Sequence, residues 1–100
     1  MFKMNVDKAK EINRGILKAD RDAALAALTH DFLDGRVMQT RPQDVGNMQL
    51  AIAEGVALEW IMEDNTPHKV TAVELQEALA SGVAAGKAVW QAYIDGIKAL

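Results

Sequence analysis

One hundred residues, half of them hydrophobic and none of them cysteine, carry a formal net charge of −3. That length suits one domain, and the lack of cysteine excludes disulfides and thiolate metal sites. The acidic balance, with basic residues dispersed except for Lys8 and Lys10, lacks the electrostatic footprint of a phosphate-binding surface.

Asn5 or Asp7 can open a first helical region running towards Leu33, with Val6, Ala9, Ile12, Ile16 and Ala19 in one stripe. Gly15 is unfavourable within a helix and Asp20 can cap a new one, so one long helix and two collinear helices both remain open. Asp34-Gly35 reads as a glycine C-cap ending that region. Arg36–Thr40 alternates polar and apolar residues, as a short strand does. A middle helix follows, with Pro42 near its first position and Gly55 as its stop.

Glu59–Met62 suits a half-buried strand, Asp64-Asn65-Thr66-Pro67 a turn, and Lys69-Val70 a brief returning strand. Thr71 and Glu74 have the spacing of a capping box. From there a last helix runs almost to Leu100, with Leu75, Leu79, Gly82, Gly86, Val89, Tyr93 and Ile97 along one face. At 1.5 Å per residue it would be about 40 Å long, more than a hundred-residue globule can cover. No internal repeat is evident. The fold class expected is mainly α: long N-terminal and C-terminal helices, a middle helix and a small β-hairpin-like element. Residues 1–34 form the N-terminal helical region and 35–100 the second region of a single compact unit.

Much of the apolar content is alanine, which buries little area per residue, so a thin core and assembly with copies or partners are expected. Gly82 and Gly86 form a small-residue ridge, read either as a subunit contact shared with Val89, Tyr93 and Ile97 or as packing on the chain's own Ala-rich first helix. Trp90 and Tyr93 are neighbours on the last helix and Trp60 is within reach of them, a core anchor in preference to a ligand site. Trp60, Asp64, Asn65, Thr71, Glu74 and Trp90 are thus assigned structural roles.

Glu63, Asp64, Asn65 and His68 lack the donor spacing of a calcium loop, and His30 with His68 is too few for a structural zinc site. No metal or cofactor is expected. There is no phosphate loop, nucleophile elbow or cysteine nucleophile, and Ser81 stands alone mid-helix. Carboxylate pairs such as Asp31 with Asp34 occur in any acidic chain, so no enzymatic activity is expected. A helix-turn-helix reading of Pro42–Glu54 has Arg41, Gln43 and Asn47 in place, but Asp44 and Glu54 oppose phosphate. Met1–Asn5 precedes no apolar core, so no signal peptide is expected, and no window of about eighteen apolar residues suits a membrane span.

Over about residues 35–100 the order of features resembles a domain of unknown function carried by tailed-phage and prophage tail fibre and tail-fibre-assembly proteins. The matching residues are Gly35 to Thr40, Gln49 to Ala53, Trp60, Asp64-Asn65, Val70-Thr71-Ala72-Val73-Glu74-Leu75, and Ile94 to Lys98. Met62-Glu63 departs from the smaller spacer residues of that pattern, and Val6–Leu33 has no evident counterpart. The resemblance implies a phage setting and no reaction. The expectation is a non-enzymatic structural protein, a tail or tail-fibre-associated virion component made in the host bacterial cytoplasm. Its partners would be other tail proteins and copies of itself, with neither nucleic acid nor membrane. A tail fibre assembly chaperone is the alternative, and a small regulator binding a host protein or DNA the next.

Overall fold

The computed structural model describes residues 2–55 and 58–100, the first four by backbone only. Seven elements follow in order: α1 (Phe2–Ala26), β1 (Thr29–Asp31), β2 (Val37–Gln39), α2 (Pro42–Glu54), β3 (Leu58–Ile61), β4 (Pro67–Val70) and α3 (Ala72–Lys98). Helix covers about two-thirds of the described residues, as the mainly α reading requires. The strands form two separate antiparallel pairs, β1 with β2 and β3 with β4.

The first helix departs from expectation at both ends. It is one uninterrupted helix through Gly15 and Asp20, beginning at Phe2 and stopping at Ala26. Thr29, His30 and Asp31, expected to be helical, form β1 instead. Asp34-Gly35 is therefore no helix cap, and the proposed division after residue 34 falls inside a hairpin turn. Gly35 occupies the left-handed region at φ +92°, where glycine is unstrained. Its amide donates to the Phe32 carbonyl at 3.1 Å, and Phe32 N–H donates to the Arg36 carbonyl at 2.9 Å.

The second hairpin repeats the first at an offset of thirty positions, which corrects the expectation of no internal repeat. Thr29 pairs with Gln39, and Leu58 with Val70, leaving equivalent registers once thirty is added to each number. Asn65 takes the place of Gly35, at φ +65°, and donates to the Met62 carbonyl at 2.9 Å. Asp34 and Asp64 each accept, through Oδ1, the backbone N–H two residues on, both at 3.1 Å. At the helix starts, Arg41 N–H donates to the Asp44 carboxylate at 3.1 Å and Thr71 N–H to the Glu74 carboxylate at 3.0 Å. Thr71 Oγ1 also accepts from Glu74 N–H at 3.1 Å, completing the capping box that Arg41, having no side-chain acceptor, can only half make. The sequences differ at almost every position, so the repeat shows only in turn chemistry and caps.

The core lies where the two hairpins meet α2 and the first turns of α3. It comprises Phe32, Met38, Met48, Ala51, Met62, Val70, Leu75 and Ala78, with Leu58, Trp60 and Leu79 packed against it. Three methionines, not alanines, fill its centre; unbranched Met adapts to the irregular gaps between short strands and crossing helices. The α3 helix then runs beyond this core and pairs with α1. The molecule is accordingly 62 × 24 × 20 Å with a radius of gyration of 18.0 Å, against about 13 Å for a compact chain of this length.

Candidate functional site

Two places gather side chains with something to offer: the junction of the hairpins with α3, and the two-helix arm. At the junction Arg36 is the hub. Its guanidinium donates through Nε to Asp34 at 2.8 Å, through Nη1 to the Lys69 carbonyl at 3.2 Å, and through Nη2 to Glu74. It also lies over the Phe32 ring at 4.7 Å, an arrangement that suits the planar guanidinium and not lysine. Arg36 holds the Asp34 carboxyl below its ordinary range, first through the side-chain hydrogen bond. Glu74 is lowered by Arg36 and then by the Thr71 amide. Asp64 is lowered by the hydroxyl and amide of Thr66. His30 packs edge-on against Phe32 at 4.7 Å and reaches Glu77 at 2.9 Å.

Asp34, Arg36, Glu74 and His30 are engaged in joining the first hairpin to the start of α3 and Asp64 in its own turn, so among the described residues here no nucleophile, base and orienter are assembled. Among the described residues no group of three or more His, Asp or Glu is placed to hold a metal ion. An open hollow of about 240 Å³ between the two turns is lined by Asp34, Gly35, Arg36, Met62, Asp64 and His68, among others.

In the arm, α1 and α3 approach closely where Leu17 meets Gly96; a Cβ on Gly96 would stand 2.7 Å from Leu17 Cδ2. Arg21 lies 4.6 Å from the centroid of Trp90 and 4.5 Å from that of Tyr93. The two rings meet edge to face at 5.9 Å. This cation–π cluster was not legible in the sequence, because nothing local links residue 21 to residues 90 and 93. A groove of about 450 Å³ runs beside it, lined by Leu17, Asp20, Arg21, Ala24, Ala88, Val89, Ala92 and Tyr93.

The residues singled out from sequence divide accordingly. Gly82 is buried inside the chain, where a Cβ would come within 2.9 Å of Thr40 Cβ and 3.3 Å of Val45 Cγ2. It therefore packs on the β2–α2 junction and is withdrawn from the subunit contact; the partner within the chain is not α1, as was expected. Val89 and Tyr93 line the groove facing α1, and Ile97 is half-buried. Gly86 has nothing within 4 Å of a Cβ. Trp60 packs on the core, and Trp90 is 45% exposed, so the pair form no common anchor. Asp64, Asn65, Thr71 and Glu74 hold the turn and cap positions assigned to them.

The exposed apolar surface of the arm lies elsewhere. Ile12 and Ile16 on α1 are 56% and 53% exposed, and Val83 and Ile94 on α3 share a flank with Trp90. The stripe Val6, Ala9, Ile12, Ile16, Ala19 is real as a spacing, but α3 packs against the Leu17, Arg21 and Ala24 side of α1.

The sequence profile of a domain of unknown function, DUF4376, matches residues 8–99. The chain belongs to the DUF4376 family. The match takes in most of α1, so this DUF4376 domain includes the arm together with both hairpins, and not residues 35–100 alone. No curated protein and no solved structure matches it. No helix among the described residues is long and apolar enough to cross a membrane.

Proposed function

We propose that this DUF4376 protein is a non-enzymatic structural component of a tailed phage, associated with the tail or a tail fibre. The observation that carries this reading is the ordered series Trp60, Asp64-Asn65, Thr71-x-x-Glu74-Leu75, which resembles the phage-borne domain. Its members have a strand, an Asx turn and a capped long helix, and here each of those residues serves in such an element. The form of the molecule supports the reading. Asp34, Arg36, Asp64, Thr71 and Glu74 are used in turns, caps and the hairpin–helix junction, while Ile12, Ile16, Trp90 and Ile94 are exposed along an extended arm. Exposed apolar residues in such number suit a protein that is covered by neighbours in an assembly.

Mass spectrometry of purified particles of the parent phage tests the assignment. The structural role requires the chain in the virion at a fixed ratio to a tail protein. Recovery from the lysate with a tail fibre protein, and absence from finished particles, would transfer the assignment to an assembly chaperone. Recovery with neither would remove the tail assignment altogether.

A further inference from the structure

We infer that α1 is a self-association element, pairing antiparallel with α1 of a second copy through the face it turns away from α3. The inference stands on the geometry of α1 and does not rest on the phage assignment. Ala9, Ile12, Ile16, Ala19, Ala23 and Ala26 recur at alternating intervals of three and four, the a/d spacing of a coiled coil. All six are exposed, because α3 packs on the Leu17–Arg21–Ala24 side. The helix thus carries two apolar faces, and its own chain covers only one. Two isoleucines at the centre of the second face, flanked by alanines, allow two helices to approach closely around a bulky middle layer.

Three features select a second copy as the occupant, and an antiparallel one. With the two-fold axis between Ile12 and Ile16, Ile12 of one copy meets Ile16 of the other and Ala9 meets Ala19, so the face is complementary to itself, as a closed two-fold pair requires. Lys8 and Asp22 lie on one flank of the seam, almost equidistant from that axis, and the antiparallel pair brings Lys8 of each copy to Asp22 of the other. Arg21 engages Asp22 only through Oδ1, and the Asp22 side chain remains 58% exposed. In a parallel pair Lys8 would face Asn13 and Asp22 would face Ala27, with no opposite charges joined. Gly15 lies on the same flank beside the axis. It is unfavourable in mid-helix, and a Cβ there would meet nothing of its own chain within 4 Å. A second backbone passing at that point gives the missing side chain a reason.

Sedimentation velocity of the whole chain over a concentration series is the first test, and a reversible dimer is expected. Ile16→Asp changes an exposed residue; it should leave the far-ultraviolet circular dichroism of the monomer intact and raise the dimer dissociation constant at least tenfold, or roughly 1.4 kcal/mol. Lys8→Asp should weaken the dimer, and Lys8→Asp combined with Asp22→Lys should restore it. Because the chain has no cysteine, Lys8→Cys and Asp22→Cys can be joined by a short bis-maleimide. A mixture of the two should cross-link, while Lys8→Cys alone should not, since its copies would lie about 18 Å apart along the axis. A monomeric wild type at every concentration overturns the inference, as does an Ile16→Asp dimer as tight as wild type. Cross-linking of Lys8→Cys to itself with no mixed product overturns the antiparallel arrangement.

Discussion

Thr40 shows how little separates the two hairpin repeats in sequence and how much that little matters. The residue is 1% exposed, and its hydroxyl has no hydrogen-bond partner among the described residues. Position 70, its equivalent in the second repeat, holds Val70, also 1% exposed. A buried unpartnered hydroxyl costs roughly 1–3 kcal/mol relative to a satisfied or absent one. Thr40→Val should therefore stabilise the protein by about 1 kcal/mol, read as a higher denaturant midpoint with an unchanged slope. A midpoint at or below that of wild type would mean that the hydroxyl is satisfied in solution, for instance by a bound water.

At the scale of elements, α3 changes neighbours along its length. Its first three turns contribute Leu75, Ala78 and Gly82 to the packed centre, and its later turns face α1. Gly82 and Gly86 look equivalent in sequence, four residues apart on one face, yet the structure separates them. Alanine at 82 would overlap Thr40 Cβ, which cannot swing aside, whereas alanine at 86 would meet nothing within 4 Å. Removing a mid-helix glycine is worth about 1 kcal/mol in propensity. Gly86→Ala should thus raise the thermal midpoint, and Gly82→Ala should lower it despite the same propensity gain. Equal shifts of the same sign would show that the helix slides to relieve the contact.

For the whole molecule, the link between the two repeats is electrostatic as well as apolar. Arg36 of the first hairpin binds Glu74 at the start of α3 and the Lys69 carbonyl of β4, and Glu63 N–H of the second turn donates to the Val37 carbonyl at 2.8 Å. Glu74 and Asp34 both have folded-state pKa values below their ordinary values of 4.5 and 3.8, chiefly through Arg36. Depressed acid pKa values stabilise the fold fully above the unfolded values, and that contribution is lost as pH falls through the folded ones. Stability should be flat above about pH 5 and decline from about pH 4.5 downward as these carboxylates take up protons. In Glu74→Gln that decline should be shallower and neutral-pH stability lower. A Glu74→Gln acid profile parallel to wild type would place the acid sensitivity elsewhere.

Features that depend on neighbours along the chain can be read from the residues alone. The α2 start at Pro42, the turn at Asp64-Asn65, the Thr71–Glu74 cap and the length of α3 all follow from local backbone chemistry, and all stand where that chemistry puts them. Thr29–Asp31 were misread because Ala23 to Leu28 favour helix strongly and nothing local stops it before Gly35; pairing with Val37–Gln39 overrides that propensity. The repeat was hidden because Gly35 and Asn65, or Arg41 and Thr71, do the same backbone work with unlike side chains. Tertiary structure alone decided which faces are covered. A helical stripe can be read from spacing, but α1 has two, and only the approach of Leu17 to Gly96 and of Arg21 to Trp90 and Tyr93 fixes which one faces inward. The other, centred on Ile12 and Ile16, is left to solvent or to a second chain because helix pairing in a single copy can occupy one side of α1 and no more.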